Sequence, residues 1–181
     1  MKSRVAAGVL AVMVAVGLAG CAGAAPKPSP TPTPPFASAD AAYKAAEATY
    51  RGYVDALNNV DLDQPKTLDS AYRWLLSDAL DHQRKEFSAM AAKRLTLSGD
   101  SVIAILRPVE SGDPLWGDVQ LAACLDVHGI DVTDSSGKSL VQGTRPNVQS
   151  LKIGFSRDAS TSTGMKIASI TAREGSPECG S

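Results

Sequence analysis

An α+β domain, with its helices first and an antiparallel sheet packed against them, is what this 181-residue chain predicts. Three observations carry that expectation. Up to Lys93 the apolar residues recur at helical spacing, whereas beyond it they alternate with a period of about two. Turn residues divide the alternating stretch into runs that hairpins can join, so the strands run antiparallel. Within the best of those runs one side is wholly apolar, a face that must be covered, and the preceding helices are what can cover it.

The domain does not start at the first residue. Lys2 and Arg4 form a positive start, and Val5 to Leu18 is an uncharged run of Ala, Val, Gly, Leu and Met. That run is shorter than the roughly 20 apolar residues a spanning helix needs, and it matches the core of a secretion signal. It ends in Leu18-Ala19-Gly20-Cys21, which resembles the bacterial lipobox. Small residues fit a signal-peptidase groove, and Cys21 offers a thiol for a diacylglycerol. Residues 1–20 are therefore expected to be a cleaved lipoprotein signal peptide. Cys21 is expected to hold the chain to the cell membrane, on the extracytoplasmic face. Residues 21–37 are read as the lipidated Cys and a Pro/Thr-rich linker. The run Pro26-Lys-Pro-Ser-Pro-Thr-Pro-Thr-Pro-Pro35 has no apolar face, and alternating Pro favours polyproline II. At about 3.1 Å per residue it is a spacer of about 30 Å.

Residues 38–181 are the folded domain. Ser38 can cap a helix in which Tyr43, Ala46, Tyr50, Tyr53, Val54 and Leu57 share one face, with Asn58-Asn59 at its end. After a break at Asp61 to Pro65, Thr67 is placed as the cap of a shorter helix bearing Leu68, Tyr72 and Leu75. Ser77 or Asp78 is placed as the cap of a third, with Leu80, Phe87 and Met90 inward and His82, Arg84, Lys85 and Glu86 outward.

Leu95 and Leu97 open the strand region, and Gly99-Asp100 turns the chain. Val102 to Leu106 is an apolar run that Pro108 is expected to end. Asp118 to His128 alternates: Val119, Leu121, Ala123, Leu125 and Val127 face one way, and Gln120, Cys124, Asp126 and His128 the other. Asp134-Ser-Ser-Gly137 reads as a hairpin turn. Leu151, Ile153 and Phe155 alternate in a further strand, Asp158 to Gly164 is a polar loop, and Met165 to Ala172 is the last strand.

The chain has three cysteines. Lipidation takes Cys21, which leaves an even pair in an oxidising compartment, so a Cys124–Cys179 disulfide is expected. It closes a loop of about 55 residues and adds about 4 kcal/mol in the chain-entropy account. Cys124 lies on the strand face turned away from the helices, so the tail must cross that outer face to reach it.

Three segments carry a likeness to a known group. They are Ala46 to Leu62 (AEATYRGYVDALNNVDL), the turn Leu97-Ser-Gly-Asp-Ser-Val102, and Ala123-Cys-Leu-Asp-Val127. Together with the element order, over residues 38 to 175, they resemble actinobacterial lipoproteins of unknown function whose domain looks like the nuclear-transport-factor-two or SnoaL cone. That resemblance implies a long helix and a strongly curved sheet around a pocket. It implies no activity, because the cone hosts enzymes and non-enzymes alike.

On a cone, the interior is expected to be lined by Tyr50, Tyr53, Leu121, Leu125, Ile153 and Phe155. Those are apolar or phenolic groups, and none is a ready proton acceptor. Asp126 and His128 are the one pair with acid–base character, and the strand pattern places both outside beside Cys124. No second cluster completes a zinc set with these three, so no metal or cofactor is expected. Gly137-Lys138-Ser139 lacks the earlier glycine of a phosphate loop. With 19 acidic and 18 basic residues, and both leader cations lost on cleavage, nucleic acid is not an expected partner. Trp116 fits either a surface anchor or a lid on the core. Two functional classes follow: a non-catalytic binding or scaffold module of the envelope, and a small pocket enzyme (hydrolase, dehydratase or isomerase). The first would take an envelope protein or an apolar small molecule as partner, and the tether and missing catalytic set favour it.

Overall fold

A computed structural model describes residues 32–110 and 112–179. The leader, Cys21 and the tether up to residue 31 lie outside the described residues. Residues 33–181 form one unit. Its order is α1 (Ala39–Asn58), α2 (Pro65–Tyr72), α3 (Ser77–Ala92), then β1 (Thr96–Ser98), β2 (Val102–Val109), β3 (Val119–Asp126), β4 (Asp131–Thr133), β5 (Val148–Arg157) and β6 (Met165–Ala172). One turn of 3-10 helix, Pro114–Trp116, precedes β3. Among the described residues, no helix is long and apolar enough to cross a membrane.

The long helix starts where the sequence places it. The Ser38 hydroxyl accepts the Ala41 N–H at 3.1 Å, and Asp40 stands in the positive first turn. Of the face read as apolar, Ala46, Tyr50, Tyr53 and Val54 are buried and Tyr43 and Leu57 are half-buried, while Ala42 and Thr49 are also buried on it. Both shorter helices begin differently from expectation. Pro65 opens α2, where its missing N–H costs nothing. Thr67 is already inside that helix, and its hydroxyl bonds Asp61 and Gln64 instead of capping. Neither Ser77 nor Asp78 caps α3. Leu76 is the cap residue, without a side-chain bond, and its N–H is spent on Ile167 O at 2.9 Å.

The strands form two antiparallel sheets, neither closed. The larger has the order β2-β3-β5-β6, and the smaller pairs β1 with β4. The single curved sheet of the expectation is thus corrected in one respect. The Asp134–Gly137 turn exists, but β4 finds its ladder with β1, at Leu97↔Val132. Pro108 does not end its strand, since β2 runs on to Val109 with Pro108 opposite Leu121. An edge strand tolerates a residue that lacks an N–H, and β2 is at the edge. Irregularities at Ile103/Ile105 and at Gly154/Phe155 interrupt the register, as bulges that bend and twist a sheet do. On the opposite edge, Trp74 O and the Leu76 N–H bond Ile167 of β6, which joins the α2–α3 connection to the sheet.

The inward residues of β3 (Val119, Leu121, Ala123, Leu125), with Val127 just after it, meet the apolar faces of the helices in one core. On the outer face, Cys124 is nonetheless only 1% exposed. The C-terminal tail crosses it, and Cys124 and Cys179 are joined by a disulfide with 5.5 Å between their Cα atoms. Arg173 shapes that tail by donating to Gly175 O and Pro177 O.

Gly52 explains a close helix contact. A Cβ there would lie 2.6 Å from Cζ2 and 2.7 Å from Cη2 of Trp74. The indole therefore rests directly on the α1 backbone. Gly99, at φ +82°, is needed for a different reason: its Cβ would lie 1.8 Å from Gly129 O, where two loops touch.

Candidate functional site: a groove between the helices and the sheet

The two halves of α1 meet the sheet differently because their inward side chains differ in size. Near its start Ala42 and Ala46 are fully buried, whereas over the next three turns the inward residues are Tyr50, Tyr53 and Leu57. The larger groups, with α3 alongside, leave a groove of about 450 Å³. Its apolar walls are Leu57 of α1 and Leu125, Leu151 and Ile170 of the sheet. Polar groups ring it: Asp78, His82 and Gln83 from α3, and Gln149, Ser169 and Thr171 from the strands. The volume is in the range of small-molecule sites.

The two phenols lie with ring centroids 6.4 Å apart, tilted by 38°. The Tyr53 hydroxyl donates to Gln83 Oε1 at 2.7 Å, tying α1 to α3. Loss of water raises both phenols above their ordinary value of 10.0, and for Tyr50 the neighbouring Tyr53 adds to the effect. Both are therefore neutral hydrogen-bonding groups at physiological pH.

A second hollow of about 290 Å³ adjoins the first, with Leu57, Leu125 and Gln149 common to both. The last residue of α1 builds one side of it. Asn58 donates through Nδ2 to Ser101 O at 3.0 Å and accepts the Ser101 N–H at 2.9 Å, which pins the β1–β2 turn to the helix. Arg145 builds another side, its Nη2 donating to Val127 O at 2.8 Å and Ile130 O at 2.9 Å.

Of the six residues expected to line an interior, Tyr50, Tyr53 and Leu125 border the groove. Leu121, Ile153 and Phe155 do not. They are 1%, 0% and 2% exposed and belong to the packed core beneath α1, although Leu121 also touches a small hollow beside Asp40 and Leu106. The inward face of a strand is thus shared between core and groove, and strand alternation alone does not divide it. Sequence reasoning also missed Asp78, His82 and Gln83. The sequence pattern puts His82 outward and Asp78 at a cap, and only the position of α3 at the rim brings them to the groove; Gln83 stands four residues from both Ala79 and Phe87, on the inner face, and its polar character hides that phase. Arg145 was missed because residues 140–147 have no periodic pattern, and Gln149, although in phase with Leu151, Ile153 and Phe155, was missed because its side chain is polar.

Asp126 and His128 form no dyad in the groove. The Asp126 carboxylate accepts the backbone N–H of His128 at 2.8 Å, and the His128 side chain is exposed. Among the described residues, no three of His, Cys, Asp and Glu gather as a metal site. The amides at residues 136 and 138 point at the Asp134 carboxylate, and the Ser136 hydroxyl and those N–H groups hold its carboxyl below the usual range. That turn is therefore filled by its own side chain. Trp116 is 41% exposed in its 3-10 turn, which fits a surface position and not a lid. Chemically, the groove offers apolar walls, two neutral phenols and several amide or hydroxyl groups.

A comparison with models of protein families gives no match, and neither does one with curated proteins. Among solved structures, the chain is similar to the solution NMR structure of a de novo β-sheet design. The identity is 15%, the TM-score 0.30, and the match covers 77% of this chain and 92% of the design. A likeness at that level supports no statement about fold family or function.

Proposed function

We propose that this chain is a lipid-anchored protein of the extracytoplasmic membrane face, and that its α+β domain is a non-catalytic binding module for a small, largely apolar molecule. The observation that carries the binding part is the groove, with Leu57, Leu125, Leu151 and Ile170 as walls and Tyr50 and Tyr53 within reach of a ligand. The anchoring part rests on the lipobox-like Leu18-Ala19-Gly20-Cys21 and the proline-rich spacer after it. The finer reading of the domain as a cone like that of the nuclear-transport-factor-two or SnoaL group is supported by the long α1 and the two strand irregularities. An envelope protein is a second possible partner class for the same module.

The neutral dye Nile red tests the binding part. The full chain is expected to bind it saturably, and Ile170→Trp, which fills the groove, is expected to weaken binding by about tenfold, as loss of well-packed apolar contacts does. Unsaturable or Trp-insensitive binding would refute it. Cys21→Ala tests the anchor: the protein is expected to leave the membrane fraction for the medium, and a variant that stays bound at the wild-type level would refute lipid anchoring.

A pocket enzyme is the second reading, because Asp78 and His82 stand one helical turn apart on the groove rim. It requires a chemical change in the bound molecule that His82→Ala abolishes while leaving Nile red binding intact.

A further inference from the structure

The smaller hollow has what the larger one lacks, a fixed cation. Part of its wall is apolar, chiefly Leu57, Val60, Phe87, Leu125, Val127 and Ile130, and the β1–β2 turn and Gln149 supply polar groups beside it. Into this wall comes Arg145, held by the two carbonyls that its Nη2 reaches. Those bonds fix the guanidinium in place without neutralising it. A guanidinium has five N–H donors, and Nη2 supplies only two of them. Among the described residues, Nε and Nη1 of Arg145 have no protein acceptor, and no carboxylate lies within the 4.0 Å of an ion pair. Asp100 borders the same hollow but makes no such pair. A half-buried cation with open donors beside an apolar wall is complementary to an aliphatic molecule with one anionic end. Such a carboxylate makes the strong, charge-assisted kind of hydrogen bond with a guanidinium. Leu57 and Leu125 are walls of both hollows, so a chain that starts at Arg145 has a continuous apolar path toward Tyr50 and Tyr53.

We infer that the two hollows together take a long-chain aliphatic carboxylate, with its carboxylate on Arg145 and its tail running over Leu57 and Leu125 into the larger groove. The inference rests on the binding-module reading and names the ligand class for it. The selectivity is local: the chain as a whole is slightly acidic, so no long-range field draws anions in.

The test uses the full chain carrying Cys21→Ser, so that no acyl group of its own competes. Calorimetric titration compares decanoate with the uncharged decanol at pH 8. Two variants address the cation. Arg145→Met removes it, and Gln149→Glu places a carboxylate beside it from an exposed position on the shared wall. Each is expected to weaken decanoate by at least about tenfold, the size of a lost charged hydrogen bond, and to change decanol by less than about twofold. Because Arg145 also holds two loop carbonyls, Gln149→Glu carries the test alone if Arg145→Met fails to fold. Decanoate binding that Gln149→Glu leaves unchanged, or an equal loss of both ligands, overturns the inference and leaves the apolar groove standing. A wild-type chain that binds neither molecule overturns both.

Discussion

Gly52 interrupts the best helix of the domain, and replacing it separates two opposing effects of known size. An alanine in a helix interior is favoured over glycine by about 1 kcal/mol. Here the added Cβ would fall 2.6–2.7 Å from two ring carbons of Trp74, well inside contact distance. The backbone that carries the indole is held to β6 by Ile167 N to Trp74 O at 2.9 Å and Leu76 N to Ile167 O at 2.9 Å, so relief has to come from rotating the ring out of its packing against the core. Overpacking of this kind costs about 1–3 kcal/mol. Taking about 2 for the clash, Gly52→Ala in the wild-type background is expected to lower stability by about 1 kcal/mol. In a Trp74→Ala background the clash is gone, and the same substitution is expected to raise stability by about 1 kcal/mol. The coupling in the double-mutant cycle is then about 2 kcal/mol, beyond the scatter of independent sites. Urea denaturation followed by far-UV circular dichroism measures all four chains. A stabilising Gly52→Ala in the wild-type background, or a coupling below about 0.5 kcal/mol, would refute the packing argument.

Further outcomes follow from the same physics. Cys124→Ala with Cys179→Ala opens a loop with a sequence separation of 55 and is expected to cost about 4 kcal/mol in urea denaturation. Thiol titration of the denatured, unreduced wild-type domain should detect neither Cys124 nor Cys179. Asn58→Ala removes both bonds to Ser101 and should lower stability by about 2 kcal/mol, with faster amide exchange in residues 97–102. Burial raises Tyr50 and Tyr53 above 10.0 in the folded state, so the unfolded chain releases these protons first as the pH climbs. Their contribution is thus fully present below about pH 10 and is lost above it. The denaturation midpoint should fall progressively as the pH is raised above about 10, and Tyr53→Phe should flatten the fall.

What the sequence determined by itself is what depends on neighbours along the chain. The cap at Ser38, the core of the inward face of α1 (Ala46, Tyr50, Tyr53, Val54) and the span Met165 to Ala172 are all local patterns, and the structure has them as read. The disulfide followed from residue count, and strand alternation, by turning Cys124 away from the helices, gave the route of the tail that reaches it. Tertiary structure decided everything that depends on which element lies beside which. Pro108 can stay in a strand because β2 is an edge, and no local pattern says which strand is the edge. The partner of β4 is β1, about thirty-five residues earlier in the chain, because the ladder is chosen by contacts that spacing does not encode. Leu121 and Leu125 alternate identically on one strand, yet the first is packed under α1 and the second borders the groove. The difference lies in the alanines and tyrosines of a helix some seventy to eighty residues away, whose volumes set the gap that closes over one residue and stays open over the other.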